Sequence, residues 1–185
     1  MNKHLENKEY LSVRVIFSMD DSILFLDVSP ENINLERVRN FAKDKSLFEK
    51  KEFHFTIIGS KTTDEILKKI KEGEKENVLD EIEDLSKSID WKARLGDEIY
   101  YIKKEYPERK NEIRESIVQI AKIRGLENFY KKLQKLVGIE FEIPLPHVTI
   151  FSNSTNPEER LRGIGIYSEK QFRKMNPIRI SSLES

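Results

Sequence analysis

The sequence predicts an α+β protein of two similar lobes, each an antiparallel sheet with helices packed outside it. Three observations lead there. Stretches of period-two alternation interleave with stretches of helical spacing. Two strands, a helix and a further strand follow one another once in each half of the chain. A short His-x-Thr segment then sits in a strand of each half, FHFT at 53–56 and PHVT at 146–149.

In chain order, Tyr10 to Phe17 alternates Leu11, Val13, Val15 and Phe17 against Ser12, Arg14 and Ile16, the pattern of a half-buried strand. MDDS turns it into a second strand, ILFLDV, giving a hairpin. Asn34 is placed to cap a helix whose stripe is Leu35, Val38, Phe41 and Ala42, ending near the charged stretch 48–52. FHFTIIGS follows as a strand. Thr62 and Glu65 have the spacing of a capping box ahead of Ile66, Leu67 and Ile70, with Gly73 as the breaker. Val78, Leu79, Ile82 and Leu85 mark another short helix.

In the second half, WKARLGDEIYYIKK reads as a hairpin turning at Gly96-Asp97. The segment 111–137 carries the longest helical signal, through Ile113, Ile117, Ile120, Ala121, Phe129, Tyr130, Leu133 and Val137, with Gly138 as its stop. FEIPLPHVTIF is a strand made irregular early on by Pro144 and Pro146. GIGIY at 163–167 is the last strand expected.

Composition limits the function classes. At 185 residues the chain is expected to form one unit, 1–185, with a sizeable core, and a monomer is expected. The 33 basic and 33 acidic residues balance, which argues against a long basic track for duplex nucleic acid but not against a small substrate or a nucleic-acid end. The lack of cysteine removes disulfides, thiol catalysis and cysteine-based metal sites. MNKHLENKEY lacks the apolar core of a signal peptide, and no apolar run approaches the roughly 18 residues of a membrane span, so a cytoplasmic protein without membrane association is expected.

The two motifs carry the chemistry. On a strand, residues i and i+2 share a face, so His54 stands beside Thr56, and His147 beside Thr149. Phe55, Ile57, Val148 and Ile150 then face the core. One such tripeptide by itself is most simply a hydrogen-bonded sheet histidine next to a β-favouring threonine. Two of them, in a chain with three histidines, are a different matter. His4 lies in the polar N-terminal segment and is read as incidental.

HFTI at 54–57 and HVTI at 147–150 resemble the signature of the two-histidine (2H) phosphoesterase superfamily, which includes RNA ligase-like cyclic phosphodiesterases. The resemblance implies motifs on central strands of two pseudo-symmetric lobes facing a shared cleft. It further implies a substrate phosphate held between them with no metal or other cofactor. The implied reaction is in-line hydrolysis of a 2′,3′-cyclic phosphate, or a related phosphodiester, at an RNA or nucleotide end. One imidazole would take a proton from water and the other would protonate the departing ribose oxygen, which suits groups of unperturbed pKa about 6.5. Thr56 and Thr149 would donate hydrogen bonds to the non-bridging oxygens. By resemblance His147 is the base and His54 the acid, an assignment that the near-symmetry of the motifs leaves open.

Further substrate contacts are expected among Lys92, Arg94 and Arg162 for phosphate and Tyr167 for a base. Trp91, Tyr100, Tyr101 and Phe172 are open to the same stacking role, with core packing the first expectation for each aromatic. Gly163 and Gly165 read either as sites of close backbone approach or as a bulge. Three rival readings stand beside the phosphodiesterase: a histidine metal site, a module of the same fold that binds RNA ends or nucleotides without turnover, and a structural interaction protein.

Overall fold

The computed structural model of the chain describes residues 10–18, 24–71 and 77–180. The strands are β1 (Arg14–Phe17), β2 (Leu24–Val28), β3 (Phe48–Glu49), β4 (Phe53–Ile58), β5 (Lys92–Tyr106), β6 (Glu112–Arg124), β7 (His147–Ser154) and β8 (Ile178–Arg179). The α-helices among the described residues are α1 (Glu36–Asp44), α2 (Ser60–Lys71), α3 (Val78–Lys87), α4 (Leu126–Val137) and α5 (Glu169–Lys174). The strands form an open, eight-stranded antiparallel sheet in the order β1-β2-β4-β7-β6-β5-β8, with β3 also paired to β7. The two motif strands, β4 and β7, are thus neighbours.

The larger core lies on one face of this sheet. It gathers Leu24, Leu26, Phe55, Ile57, Ile117, Val148 and Ile150 from the strands with Val38, Ile66, Ile82, Phe129 and Leu133 from the helices. Phe55 and Val148 are fully buried and face each other across β4 and β7. Each contributes about 1.5–3 kcal/mol by leaving water. A smaller core covers part of the other face, where Ile102 of β5 and Val118 of β6 meet Ile164, Ile166 and Phe172. That second cover stops short of β4 and β7, and there the sheet opens into a cleft.

Several elements differ from those read in the sequence. The chain from Lys92 to Tyr106 is one long strand, not a hairpin, because Gly96-Asp97 forms a bulge where the register shifts between Leu95 and Ile99. A Cβ on Gly96 would lie 3.0 Å from the Ile120 carbonyl oxygen, so glycine is there for close approach to β6. The true reversal falls at Pro107–Arg109, closed by Lys110 and Asn111 with φ of 53° and 57°.

The predicted helix 111–137 divides at Gly125 into a strand, β6, and a helix, α4. Strand β6 lies between β5 and β7 and buries residues on both faces, so its isoleucines lost the period-two signature and fell by coincidence into helical spacing. Gly138 does end α4, with φ 76°.

GIGIY pairs with no strand and instead packs Ile164 and Ile166 onto the sheet, while β3 and β8, each of two residues, were too short to read. Leu35, not Asn34, occupies the cap of α1, and α2 begins at Ser60, which places Thr62 inside the helix and removes the capping box. The MDDS turn, Gly73 and His4 lie wholly or largely outside the described residues.

The strand-to-helix junction at Gly125 yields a stability test. Its φ is 95°, and a Cβ would stand 2.6 Å from Ile89 Cγ2, whereas a Cβ on Gly138, also of positive φ, meets nothing within 4 Å. Gly125→Ala should therefore cost about 2–4 kcal/mol in urea unfolding, from backbone strain plus overpacking, and Gly138→Ala only about 1 kcal/mol, from strain. Equal losses at the two sites would show that the packing at Ile89 does not matter.

Candidate active site

The cleft is a cavity of about 280 Å³, slightly below the roughly 300–1,000 Å³ usual for small-molecule sites. His54 and Thr56 from β4 line it together with His147 and Thr149 from β7. The strand pleat accounts for this. In β4 and β7 the buried residues Phe55, Ile57, Val148 and Ile150 alternate with the half-buried His54, Thr56, His147 and Thr149. Because Phe55 sits opposite Val148 in an antiparallel pair, the register sets His54 across from Thr149 and Thr56 across from His147. Each imidazole thus has a hydroxyl beside it on its own strand and another across the strand boundary.

The two histidines are held differently. His54 packs against Phe25 of β2, with ring centroids 4.7 Å apart and planes tilted by 55°. Burial pushes its pKa below the ordinary histidine value, and the charges of Lys50 and His147 push the same way, against the pull of Glu52 and Asp27. His147 is crowded by protein atoms while part of its surface stays open, and burial lowers its pKa too. Its Nδ1 lies 2.8 Å from the Leu145 carbonyl oxygen. A carbonyl can only accept, so Nδ1 carries the proton and Nε2 of the neutral ring keeps its lone pair.

Backbone passes close to both threonines. A Cβ on Gly163 would lie 2.9 Å from Thr149 Oγ1, and one on Gly59 3.3 Å from Thr56 Cγ2. Of the two readings of Gly163, the close approach is the one seen. Gly165 gives the same room to the Tyr167 hydroxyl, at 2.9 Å.

Of the further contacts expected, Arg162 and Tyr167 line the cavity. The Tyr167 hydroxyl stands 3.5 Å from Ser60 Oγ, and the Lys61 ammonium lies 5.9 Å from the centroid of its ring. Lys92 and Arg94 do not line it. They lie at the start of β5, where Lys92 pairs with Asp90 at 3.3 Å, whereas β5 reaches the cavity only at its far end, through Tyr106. Trp91, Tyr100, Tyr101 and Phe172 are packing residues: Trp91 meets Phe129, Tyr100 meets Phe172, and Tyr101 meets Phe41 while bonding Glu115.

Lys50, Tyr106, Arg109 and Arg114 line the cavity too, although their sequence pattern did not mark them as site residues. Lys50 lies where the chain bulges between the β3 and β4 pairings with β7, and its ammonium donates to the Leu161 carbonyl. Arg114 is only 4% exposed and donates to Glu112 at 2.6 and 3.1 Å and to Glu159 at 3.1 Å. Glu112 also accepts from Ser154 Oγ at 2.6 Å, and its carboxyl is held below the usual range, chiefly by the Arg114 bonds. Reading 112–124 as a strand would have exposed this set, since Glu112, Arg114 and Ser116 then share a face with Val118.

Among the described residues no group of three or more His, Asp or Glu side chains is placed to hold a metal ion, and no helix is long and apolar enough to cross a membrane. Comparison with protein-family models, curated proteins and solved structures finds no match to the chain.

Titration followed by NMR should find both imidazoles of the unliganded protein half-protonated below pH 6.5, since burial disfavours the charged ring. Adding inorganic phosphate should move the His54 midpoint upward, because an anion beside the ring favours its cation. A His54 midpoint at or above 6.5 without ligand, or unmoved by phosphate, would contradict this electrostatic picture.

Proposed function

We propose that the chain is a metal-independent phosphodiesterase of the two-histidine type, opening a 2′,3′-cyclic phosphate or a related phosphodiester at an RNA or nucleotide end. The observation that carries the reading is the convergence of His54, Thr56, His147 and Thr149 on one cavity from two adjacent strands. Two parallels support a pseudo-symmetric pair of lobes meeting at β4 and β7: each motif strand turns its apolar side into the same core, and each threonine has a glycine against it.

In this reading the phosphate sits between the imidazoles. His147 Nε2 takes a proton from a water whose oxygen attacks phosphorus, and the assignment as base agrees with the tautomer fixed by Leu145. The P–O bond opposite breaks, and the ribose oxygen leaves with the proton of His54. The product is a phosphomonoester, with His147 protonated and His54 neutral until solvent restores both. Thr56 and Thr149 donate to the non-bridging oxygens as charge builds there. The bound phosphate itself supplies the charge that keeps His54 protonated, against the burial that favours the neutral ring when the cleft is empty.

A second reading, phosphate binding without turnover, draws on that same depressed His54: a ring kept neutral by burial and by Lys50 is a poor acid. Activity decides between them. On a 2′,3′-cyclic nucleotide with EDTA present, turnover should persist. His54→Ala and His147→Ala should each lower kcat by about 10²–10⁴-fold, and Thr56→Ala and Thr149→Ala by about 10²-fold. The profile of kcat/KM against pH should be bell-shaped, its acidic limb below 6.5 because burial keeps His147 neutral to lower pH. No turnover of any phosphodiester, with nucleotide affinity falling in all four variants, is the result expected of the binding module. Undiminished activity in both histidine variants would dismiss the catalytic proposal.

Gly163→Ala tests the positioning of Thr149. The added methyl displaces the hydroxyl, so kcat should fall about 10-fold or more while the fold stays intact. An unchanged kcat would mean that Thr149 is not a donor in the transition state.

A further inference from the structure

We infer that the end of the cleft formed by Tyr106, Arg109, Arg114 and Arg162 is a second anion subsite, which takes another phosphate of the same substrate. The inference rests on the phosphodiesterase reading and narrows its substrate to a nucleotide end carrying at least two phosphates. The whole chain is balanced at 33 basic and 33 acidic residues, yet the charged residues lining the cavity are Lys50, Arg109, Arg114 and Arg162 against only Glu52 and Glu142. Glu112 and Glu159 pair with Arg114 and Arg162 but do not line the cavity, so the surface turned to the cleft is the basic one.

Lys104, Arg109 and Arg114 surround one ring, at 4.4, 5.3 and 5.0 Å from the Tyr106 centroid. Burial lowers the Lys104 pKa, and the neighbouring Arg109 and Arg114 add to that against the pull of Glu108. Arg109 and Arg114 both line the cavity beside this ring, so an anion entering there meets two guanidiniums. Arg114 is also rigid, since Glu112 fixes it from behind through two bonds. Beyond it, the Glu159 carboxylate bridges Arg114 at 3.1 Å and Arg162 at 3.4 Å, so anionic oxygens already fit between these two guanidiniums. Planar guanidiniums suit phosphate in the same bidentate way.

Thr149 pairs with Val118 and Ser154 with Arg114, on the cleft side of β6. Four residues of strand put Arg114 about 13 Å from Val118 along the backbone. The long arginine side chain can shorten that gap, leaving a span that one nucleotide unit can bridge. The second phosphate is either an internucleotide phosphodiester or a terminal phosphomonoester on the same nucleotide, and the two are separable.

The test compares three substrates on the full chain at low salt: a 2′,3′-cyclic mononucleotide, the same compound with a 5′-phosphate, and a dinucleotide ending in the cyclic phosphate. At least one doubly phosphorylated substrate should exceed the mononucleotide in kcat/KM by about 10-fold or more. The better of the two identifies the phosphate recognised. In Arg109→Ala that ratio should fall toward one, and in Arg109→Lys most of it should survive. Equal kcat/KM for all three substrates, or a ratio unmoved by Arg109→Ala, overturns the subsite.

Titration with inorganic phosphate, followed through the histidine ring and arginine Nε–H signals, separates this failure from failure of the catalytic reading. Two binding events, one moving His54 and His147 and one moving Arg109 and Arg114, support the subsite. Binding at the histidines alone overturns it, as does no binding at all. Binding at the arginines without turnover of any substrate sustains the subsite and removes the phosphodiesterase.

Discussion

The pairing of Phe55 with Val148 across β4 and β7 governs both the core and the cleft. Side chains alternate along a strand, so fixing which residues face inward also fixes which face out. The inward set, Phe55, Ile57, Val148 and Ile150, is buried to within 1% and joins the helices in the main core. The outward set is His54, Thr56, His147 and Thr149. A slip of either strand by one residue would bury an imidazole and a hydroxyl among aliphatic groups and expose a phenylalanine or a valine. Hydrophobic burial, which has no chemical purpose of its own, therefore holds the polar quartet in register.

The rest of the molecule determines how much of that polar face stays open. The smaller core, built by Ile164, Ile166 and Phe172 on Ile102 and Val118, closes the same face over β5 and β6 and stops before β4. Chain 163–166 thus does two jobs: its isoleucines seal one side, and its glycines pass against Thr149 and the Tyr167 hydroxyl. The long β5–β6 hairpin brings Tyr106, Arg109 and Arg114 to the far wall. The Glu112–Arg114–Glu159 network, with Ser154 on its inner carboxylate, satisfies charges that would otherwise be costly to bury.

Electrostatics then give the cleft a bias without an ion in it. Burial favours the neutral form of both imidazoles, and Lys50 adds to this at His54. His54 also feels the charges of Lys50 and His147, whereas His147 donates from Nδ1 to the Leu145 carbonyl, a bond that favours its charged form against burial. Two rings that look equivalent in the sequence are therefore unequal in the fold.

The sequence by itself determined the α+β class, the strand character of both motif segments and the pairing of His with Thr on each, because these follow from local periodicity. It also marked the end of α4 at Gly138, and it offered Arg162 and Tyr167 among several candidate contacts without telling them from Lys92 and Arg94. Tertiary structure alone decided the rest. Strand β6 was invisible because neighbours on both faces erase alternation, and the hairpin read at Gly96 was a bulge because β6 pairs with the chain on both sides of it. Lys92 and Arg94 fell outside the cleft, and Lys50, Tyr106, Arg109 and Arg114 entered it, for one reason. Periodicity tells which way a side chain points from its own strand, while the order β4-β7-β6-β5 tells which strands lie side by side, and that order is set by packing between segments distant in the chain.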